Sequence, residues 1–308
     1  MIPMIETQGL SKTYANTRAL DQVTVSLERG KPIGLVGPNG AGKTTFFSLL
    51  CGFIHPTSGS VRILGHPPLH RELYGRITIL PQDAALIKTV PIITQLTFFA
   101  QLQGFSRIEA RQEAHRVLEC VNLHKSGRKL PDSLSHGMLK RAAMAQAFIG
   151  KAELVLLDEP TAGLDPATAS KIRDLIRTTA KDSTFIVSSH NLSEIEDICG
   201  SVLILNQGKL VEYKTISELV ARTTCLTFRL EEPPSDTIEQ TFLNLPEVTK
   251  VEIGATGEHK LIIHYDESAG NAAQIQIIQV LHQAGISFLE MSRGQSLEKK
   301  VLEITQND

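Results

Sequence analysis

The pattern of apolar and polar positions changes twice along this chain of 308 residues. Apolar and polar residues alternate over 5–10 and 20–27, which predicts two half-buried strands. Continuous apolar runs at 154–157 and 185–187 are typical of strands buried on both faces of a parallel sheet. Between about 92 and 150 apolar residues recur every three or four positions instead, which predicts helices.

Shorter segments complete this first region. We expect strands at 59–65 and 76–80, and a helix over 167–181 that connects two of the buried strands. A turn separates strands at 202–205 and 210–212, which predicts a hairpin. One predicted helix shares an apolar face among four residues: Leu96, Phe99, Ala100 and Leu102.

The pattern changes again after about residue 223. The segments that follow are predicted as strand 226–230, helix 236–244, strands 248–253 and 260–265, helix 272–284, strand 287–292 and a last helix over 296–304. The first six have the β-α-β-β-α-β order of a small split βαβ domain. We therefore expect two domains, at 1–222 and 224–308, with a helical subdomain at about 86–150 of the first.

Composition narrows the classes of protein. The net charge is −2 and no block of Lys and Arg stands out, which argues against a nucleic-acid partner. We expect neither a membrane-spanning segment nor a signal peptide, because no apolar run reaches 18 residues and the N-terminus lacks a basic–apolar–small pattern. The four cysteines lack C-x-x-C spacing, which favours free thiols in a reducing compartment.

A glycine-rich segment carries the strongest chemical signal. Residues 37–45 fit the pattern G-x-x-x-x-G-K-[ST], between an apolar stretch at 32–36 and a predicted helix. Backbone N–H groups at such a helix N-terminus bind phosphate, Lys43 can reach the β- and γ-phosphates, and Thr44 can hold Mg²⁺. The predicted nucleotide-binding residues here are Gly37, Pro38, Asn39, Gly40, Ala41, Gly42, Lys43, Thr44 and Thr45.

A pair of carboxylates ends the buried run at 154–157. Asp158 is placed to hold Mg²⁺ through water, because the carboxyl end of a parallel strand lies beside such a phosphate loop. Glu159 can accept a proton from the attacking water.

The motifs taken together resemble the ATPase subunit of an ABC transporter. Residues 37–45 resemble its Walker A loop and 154–159 its Walker B strand with the catalytic carboxylate. Residues 134–138 resemble the signature motif, with His136 and Met138 at positions where the family has Gly and Gln. The resemblance covers about residues 1–222.

The resemblance implies roles for further residues. Tyr14 would stack on adenine, and Gln82 would contact Mg²⁺ and the attacking water. His190 would contact the γ-phosphate, and Asp165 belongs to the D-loop that contributes to the nucleotide site. In the family the signature acts in trans, so Ser135 and Gly137 would bind the phosphates of ATP held by a facing subunit.

The implied fold is an α/β P-loop NTPase of the ABC ATPase type, with a parallel sheet, an antiparallel β subdomain and a helical subdomain, followed by an α+β ferredoxin-like domain. The implied function is that of an ATP-hydrolysing motor with ATP and Mg²⁺ as cofactors. Two copies would form a homodimer and drive separate integral-membrane permease subunits from the cytoplasmic face of the membrane.

Export is implied only by the C-terminal region. It resembles the appended domain of the drug-, sodium- and polysaccharide-export branch, whose closing segment is similar to 296–303 here, with Val301 in place of Phe. Two alternatives stay open: a regulatory nucleotide-binding subunit of a heterodimer, and an ABC ATPase that acts on DNA or ribosomes rather than in transport.

Overall fold

The computed structural model describes residues 2–180, 183–221, 225–233, 238–254, 259–266, 269–293 and 297–306. Contacts divide the chain into an N-terminal unit that ends at Thr215 and a C-terminal unit that begins at Ile216. The observed boundary therefore lies N-terminal to the one expected at 222–224. The predictions for residues 181, 222–224, 236–237 and 296 lie outside the described residues.

The N-terminal unit contains nine of the described strands and six helices. They are, in chain order, β1 (Ile5–Tyr14), β2 (Thr17–Leu27), β3 (Ile33–Val36), α1 (Lys43–Leu50), β4 (Ser58–Ile63), β5 (Ile77–Leu80), α2 (Ile92–Leu102), α3 (Arg107–Cys120), α4 (His136–Ala147), β6 (Leu154–Asp158), α5 (Pro166–Thr179), β7 (Thr184–Ser188), α6 (Leu192–Ile198), β8 (Ser201–Asn206) and β9 (Lys209–Thr215).

The main sheet of this unit has the strand order β5-β6-β7-β3-β8-β9. The first five strands pair in parallel, and β9 returns antiparallel to β8 as the predicted hairpin. Every residue of β3, β6 and β7 is buried. The continuous apolar runs therefore predicted the parallel sheet for the right physical reason, since helices cover both faces of such strands.

A second sheet, ordered β2-β1-β4, is antiparallel. Its inner face and the main sheet share one core with α1, to which Phe46, Phe47 and Leu49 contribute buried side chains. The core therefore fixes α1, and with it the glycine-rich loop at the start of α1, between the two sheets.

Helices α2, α3 and α4 form the predicted helical region. The helix α3 begins with a capping box, in which Ser106 and Glu109 each accept a hydrogen bond from the backbone amide of the other. Leu102 of α2 is exposed, so its predicted place on the face of Leu96 is wrong. Leu96 and Leu102 are six residues apart, and at about 100° per residue their side chains lie about 120° apart around the helix axis. No described helix has the length and hydropathy that a membrane span requires.

The C-terminal unit has the predicted order of elements from residue 225 onwards, preceded by a short helix over 216–221 that was not predicted. They are α7 (Ile216–Ala221), β10 (Cys225–Leu230), α8 (Ile238–Leu243), β11 (Val248–Ile253), β12 (Lys260–Tyr265), α9 (Gly270–Gln283), β13 (Phe288–Arg293) and α10 (Leu297–Gln306). The sheet is antiparallel, in the order β11-β12-β10-β13. Phe228, Phe242 and Tyr265 are among the largest side chains of its core.

Candidate functional site

The glycine-rich loop turns sharply between β3 and α1. Gly37 and Gly42 have φ angles of 153° and 102°, which side chains rarely allow. A Cβ atom on Gly37 would lie 2.1 Å from the carbonyl oxygen of Leu205, and one on Gly42 would lie 2.5 Å from that of Ala19. Glycine is therefore required at both positions. The loop leads directly into the N-terminus of α1, where unpaired amides favour an anion.

Lys43, the first residue of α1, is held against this loop. Its ammonium group donates to the carbonyl oxygens of Gly37 at 2.7 Å and Pro38 at 3.1 Å. An ammonium group has three N–H donors, so one remains for a phosphate oxygen. Burial lowers the pKa of Lys43, and the nearby carboxylates of Glu159 and Asp158 oppose that shift.

Asp158 is buried at the end of β6, and two hydroxyl groups fix its carboxylate. Thr44 Oγ1 donates to Oδ2 at 3.0 Å, and Ser188 Oγ donates to Oδ1. The Ser188 oxygen also accepts the backbone amide of Glu159 at 2.9 Å. One serine thus positions both consecutive carboxylates. Sequence reasoning missed this role, which follows from the register that places Ser188 beside Asp158 in the sheet.

Glu159 follows β6 with a left-handed backbone, at a φ of 50°. A residue other than glycine in this conformation is strained, and such strain is concentrated at functional sites. Its Oε2 lies 2.8 Å from Nδ1 of His190. An ionised carboxylate only accepts hydrogen bonds, so the imidazole donates from Nδ1. This contact orients the carboxylate that sequence analysis identified as the base.

A third buried carboxylate, Glu194 of α6, supports both sides of this contact, and sequence reasoning missed it. It accepts hydrogen bonds from Thr161 Oγ1 and, at 3.4 Å, from Ser189 Oγ. Arg173 of α5 pairs with its other oxygen at 3.3 Å. Thr161 comes two residues after Glu159 and Ser189 directly precedes His190, so Glu194 links the two segments.

These groups surround one cavity of about 650 Å³. Its lining residues are Tyr14, Ala19, Asn39, Gly40, Ala41, Gly42, Lys43, Thr44, Thr45, Gln82, Asp158, Glu159, Ala162 and His190. The fold thus brings together residues that are more than a hundred positions apart in the chain. Gly37 and Pro38 form the base of the loop rather than the cavity wall. The Tyr14 ring is half exposed and lies 5.2 Å from the ammonium group of Lys12.

Comparison with known proteins decides which kind of phosphate site this is. A family model described as ABC transporter matches residues 20–162. The chain is 35% identical to the bacitracin transport ATP-binding protein BcrA of Enterococcus faecalis over 226 residues, 71% of each chain. It is 31% identical to the linearmycin resistance ATP-binding protein LnrL of Bacillus subtilis (strain 168) over 223 residues, again 71% of each. The chain belongs to the ABC transporter ATP-binding family.

Solved structures agree with this assignment. The structure of cbiO1 from Clostridium perfringens, part of the ABC transporter complex cbiONQ, is 26% identical, with a TM-score of 0.64. The match covers 71% of this chain and 91% of that one. The predicted ABC ATPase fold and ATP-hydrolysing activity are therefore confirmed.

The residues of the cavity fit ATP. The glycine-rich loop and Lys43 offer donors to phosphate oxygens, and a Cβ atom at Gly40 would meet nothing within 4 Å, so this face of the loop is open. Tyr14 also lines the cavity with a half-exposed ring. The cavity of the ABC ATPase thus combines hydrogen-bond donors that suit phosphates with an aromatic ring of the kind that stacks on a base.

The signature residues of this ABC ATPase lie outside the cavity wall. Ser135 is the exposed N-cap of α4 and accepts the amide of Met138 at 3.4 Å. A Cβ atom on Gly137 would lie 2.9 Å from Thr168 Cγ2, so the first turn of α4 packs closely on the start of α5. His136 is exposed on the same turn, and its Nε2 lies 3.8 Å from where a Cβ atom on Gly163 would stand.

Asp165 has a structural role that sequence analysis did not assign. It is the N-cap of α5, and its carboxylate accepts the amide of Thr168 at 3.0 Å. That hydrogen bonding lowers the pKa of Asp165. Asp165 also stays outside the cavity wall.

Lys140 is a further residue near the site, and it comes from the helical region. Its ammonium group lies 3.4 Å from the backbone oxygen of Gln82, to which it donates. Burial lowers the pKa of Lys140, and Asp83, Asp158 and Glu159 act in the opposite direction. A cation on α4 therefore faces both the Gln82 loop and the acidic end of β6.

Proposed function

We propose that two copies of this chain sandwich two ATP molecules with Mg²⁺ and drive a separate membrane permease, as the motor of an exporter. The observation that carries this proposal is the division of the phosphate-binding groups. The Walker A loop, the carboxylates and His190 line one cavity, whereas Ser135 and Gly137 are on an exposed helix start outside it. A second copy would supply its signature residues to that cavity.

Within the cavity, the proposed role of each residue follows from the hydrogen bonds that its side chain can make. Lys43 and the loop amides bind the β- and γ-phosphates. Glu159 accepts the proton of the attacking water, and His190 holds that carboxylate in place until the imidazole turns to the γ-phosphate. When His190 turns to the γ-phosphate, its Nδ1–H bond to Glu159 is released, because a neutral imidazole has only one N–H donor.

Thr44, Asp158 and Gln82 are the residues that would hold Mg²⁺. The hydroxyl and carboxylate of the first two already meet at 3.0 Å, and Gln82 lines the same cavity. Oxygen donors of this kind suit Mg²⁺. The ion would neutralise phosphate charge, while the protein positions the reactants.

The side that faces the permease is an exposed apolar groove of about 490 Å³. Phe53 and Tyr74 line it and are 64% and 72% exposed, and Leu102 lies beside them. Exposed apolar patches of this kind mark binding surfaces, and an amphipathic helix fits such a groove. We assign the groove to a cytoplasmic helix of the permease, which would hold the chain at the cytoplasmic face of the membrane.

Export is supported by the names of the relatives. One is a bacitracin transport protein and another a linearmycin resistance protein, and a resistance function implies removal of a compound from the cell. The C-terminal unit is proposed to stabilise the dimer. No nucleic acid is expected as a partner, in agreement with the net charge of −2.

A pull-down from gently solubilised native membranes tests the partner. We expect a polytopic membrane protein in stoichiometric amount with the tagged native chain, and its loss with Tyr74→Asp. The matched control is Ile108→Asp, because Ile108 is 74% exposed on α3, outside the groove. Recovery of ribosomes or DNA instead would contradict the transporter proposal, and equal recovery with both variants would contradict the groove.

A further inference from the structure

The structure assigns a transition-metal site to the segment that joins β4 to β5, away from the nucleotide cavity. One imidazole nitrogen of His66, one of His70 and a carboxylate oxygen of Glu72 all lie within 4.8 Å of one another. We propose that these three side chains bind a divalent ion of the zinc class. Neither the ABC family resemblance nor the proposed function requires this site.

The three side chains are brought together by an ordered backbone. His66 exchanges backbone hydrogen bonds of 2.7 and 2.9 Å with Ile63, a buried residue at the end of β4. His70 begins a short helical turn at 71–73, of which Glu72 is the middle residue. Leu73 of that turn is buried in the core. Both ends of the cluster are therefore anchored, and Pro67 and Pro68 restrict the loop between the histidines.

The contacts within the cluster exceed those of a surface ion pair. His66 Nε2 lies 3.0 Å from Glu72 Oε2, and this pair alone would explain two of the three residues. The ring of His70 nevertheless stacks on that of His66, with centroids 4.6 Å apart and an angle of 11° between the planes. A metal ion would use all three groups.

The donor atoms favour zinc over magnesium. Two imidazoles and one carboxylate are a typical zinc ligand set, with water in the fourth position, whereas Mg²⁺ prefers oxygen donors. Donor atoms on one tetrahedral zinc ion lie about 3.3 Å apart, so the cluster must close slightly on binding. Glu72 can move because its side chain is 53% exposed, and one of the two stacked imidazole rings must also rotate, because lone pairs in two nearly parallel ring planes do not meet at one ion.

Metal binding would exchange the His66–Glu72 pair, the ring stack and one hydrogen bond of His70 for metal–ligand bonds. The amide of Glu72 donates to Nδ1 of His70 at 3.4 Å, a long hydrogen bond. Whichever nitrogen of His70 binds the metal, this bond is exchanged for a metal–nitrogen bond. The exposed amide can then bind water instead.

The metal would fix the wall of the permease groove. Leu69, between the histidines, and Tyr74, just after the turn, both line that groove. A metal ion that joins the end of β4 to this turn would reduce the motion of both side chains. This consequence rests on the proposed permease contact, but the metal site itself does not.

The test is titration of the full chain, freed of any histidine tag, with Co²⁺ and Zn²⁺ in the absence of nucleotide. We expect one equivalent of Co²⁺ to give a visible absorption band, which Zn²⁺ removes and Mg²⁺ does not. His66→Ala and His70→Ala should each lower the affinity by at least about tenfold, because even the loss of outer-shell partners costs that much. His115→Ala, at an exposed histidine of α3, should leave it unchanged.

Two results would overturn the site. One is the absence of a cobalt band at protein concentrations of tens of micromolar. The other is binding that persists in the double variant His66→Ala/His70→Ala, which would place the metal elsewhere, for example on the exposed thiol of Cys120. Circular dichroism of the metal-free variants establishes that they fold. Because nucleotide is absent throughout, failure here leaves the ATPase proposal intact.

Discussion

The Walker A loop and the signature segment both end at the start of a helix, yet their surroundings differ. Lys43 is buried and bound to two carbonyl oxygens of its own loop. Ser135 is exposed, and the hydrogen bond that it accepts from the first turn of α4 is long, at 3.4 Å. The first segment is enclosed by its own chain, whereas the second is open to another molecule.

This difference is what the proposed alternation between an open and a closed dimer requires. The cavity residues keep their positions through internal hydrogen bonds, so nucleotide binding does not have to order them. In the proposed dimer, the signature residues would gain their phosphate contacts only across the interface. On the proposed function, nucleotide therefore acts as part of the dimer contact, and hydrolysis removes that contact.

The largest expected effect is that of Glu159→Gln. Loss of the base should lower ATP turnover by at least about a hundredfold, while binding of ATP persists. The dimer should then accumulate, because the step that opens it is blocked. Phosphate release measures turnover, and light scattering after size exclusion measures the dimer.

The matched control is Glu119→Gln, at an exposed carboxylate of α3. It should behave as the native chain does. A Glu159→Gln variant that stays monomeric at saturating ATP and Mg²⁺ would contradict the sandwich.

Ser135→Ala tests the open half of the site. Loss of a hydrogen bond to a charged phosphate should lower turnover by about ten- to a hundredfold, with ATP binding by the monomer unchanged. Mixing this variant with Lys43→Ala should restore activity, because one composite site of each mixed dimer is intact. Phosphate release from the mixture, compared with the sum of the separate variants, measures that restoration.

Ser106→Ala is the control for the cap itself. Ser106 caps α3 as Ser135 caps α4, but it has no proposed phosphate contact. It should cost about 1 kcal/mol of stability and leave turnover unchanged. If the mixture of Ser135→Ala and Lys43→Ala shows no gain in activity, the signature does not act in trans.

Ser188→Ala tests the enclosed half. The change removes the donor to Asp158 and leaves the buried amide of Glu159 without its acceptor, at a cost of about 1 to 3 kcal/mol. Turnover should fall about tenfold as both carboxylates lose their fixed positions. Denaturant unfolding and phosphate release measure the two effects.

Ser193→Ala, at an exposed serine of α6, should change neither quantity. If Ser188→Ala destabilises the chain and turnover per folded molecule stays the same, the serine supports the fold alone.

Contiguous motifs made much of this molecule predictable. The Walker A loop, the Walker B strand and the buried strands each follow from neighbouring residues whose physics is local. The supporting residues could not be found in this way, because Ser188 and Glu194 are about thirty positions from the groups that they hold. Their side chains meet these groups only when β6 and β7 lie side by side in the sheet.

The metal-binding cluster was missed for another reason. His66 and His70 have the i, i+4 spacing of one helix face, but Pro67 and Pro68 between them disfavour a helix, and Glu72 would lie on a different face. Only the turn at 71–73 folds Glu72 back towards His66. The sequence contains the side chains that can bind a metal, but only the backbone geometry shows that they lie close together.

Lys140→Met should have the smallest effect on turnover. In contrast to Ser188→Ala, it should raise the stability of the folded chain. Loss of the donor to the backbone of Gln82 should slow turnover by about fivefold, as that loop is held less firmly. Because burial lowers the pKa of Lys140, keeping it protonated in the folded state costs free energy. The variant should therefore melt at a higher temperature than the native chain.

The pH dependence of the difference in melting temperature shows whether Lys140→Met stabilises the chain by removing a buried charge or by improving packing. The cost of the buried charge is present in full well below the folded-state pKa and declines as the pH rises through it, so the melting temperatures should converge at alkaline pH. Lys125→Met, at an exposed lysine, should change neither turnover nor melting temperature. A higher melting temperature with unchanged turnover would mean that Lys140 is a buried charge without a role at the Gln82 loop. Slower turnover with higher stability would show that the charge is kept at the expense of the fold.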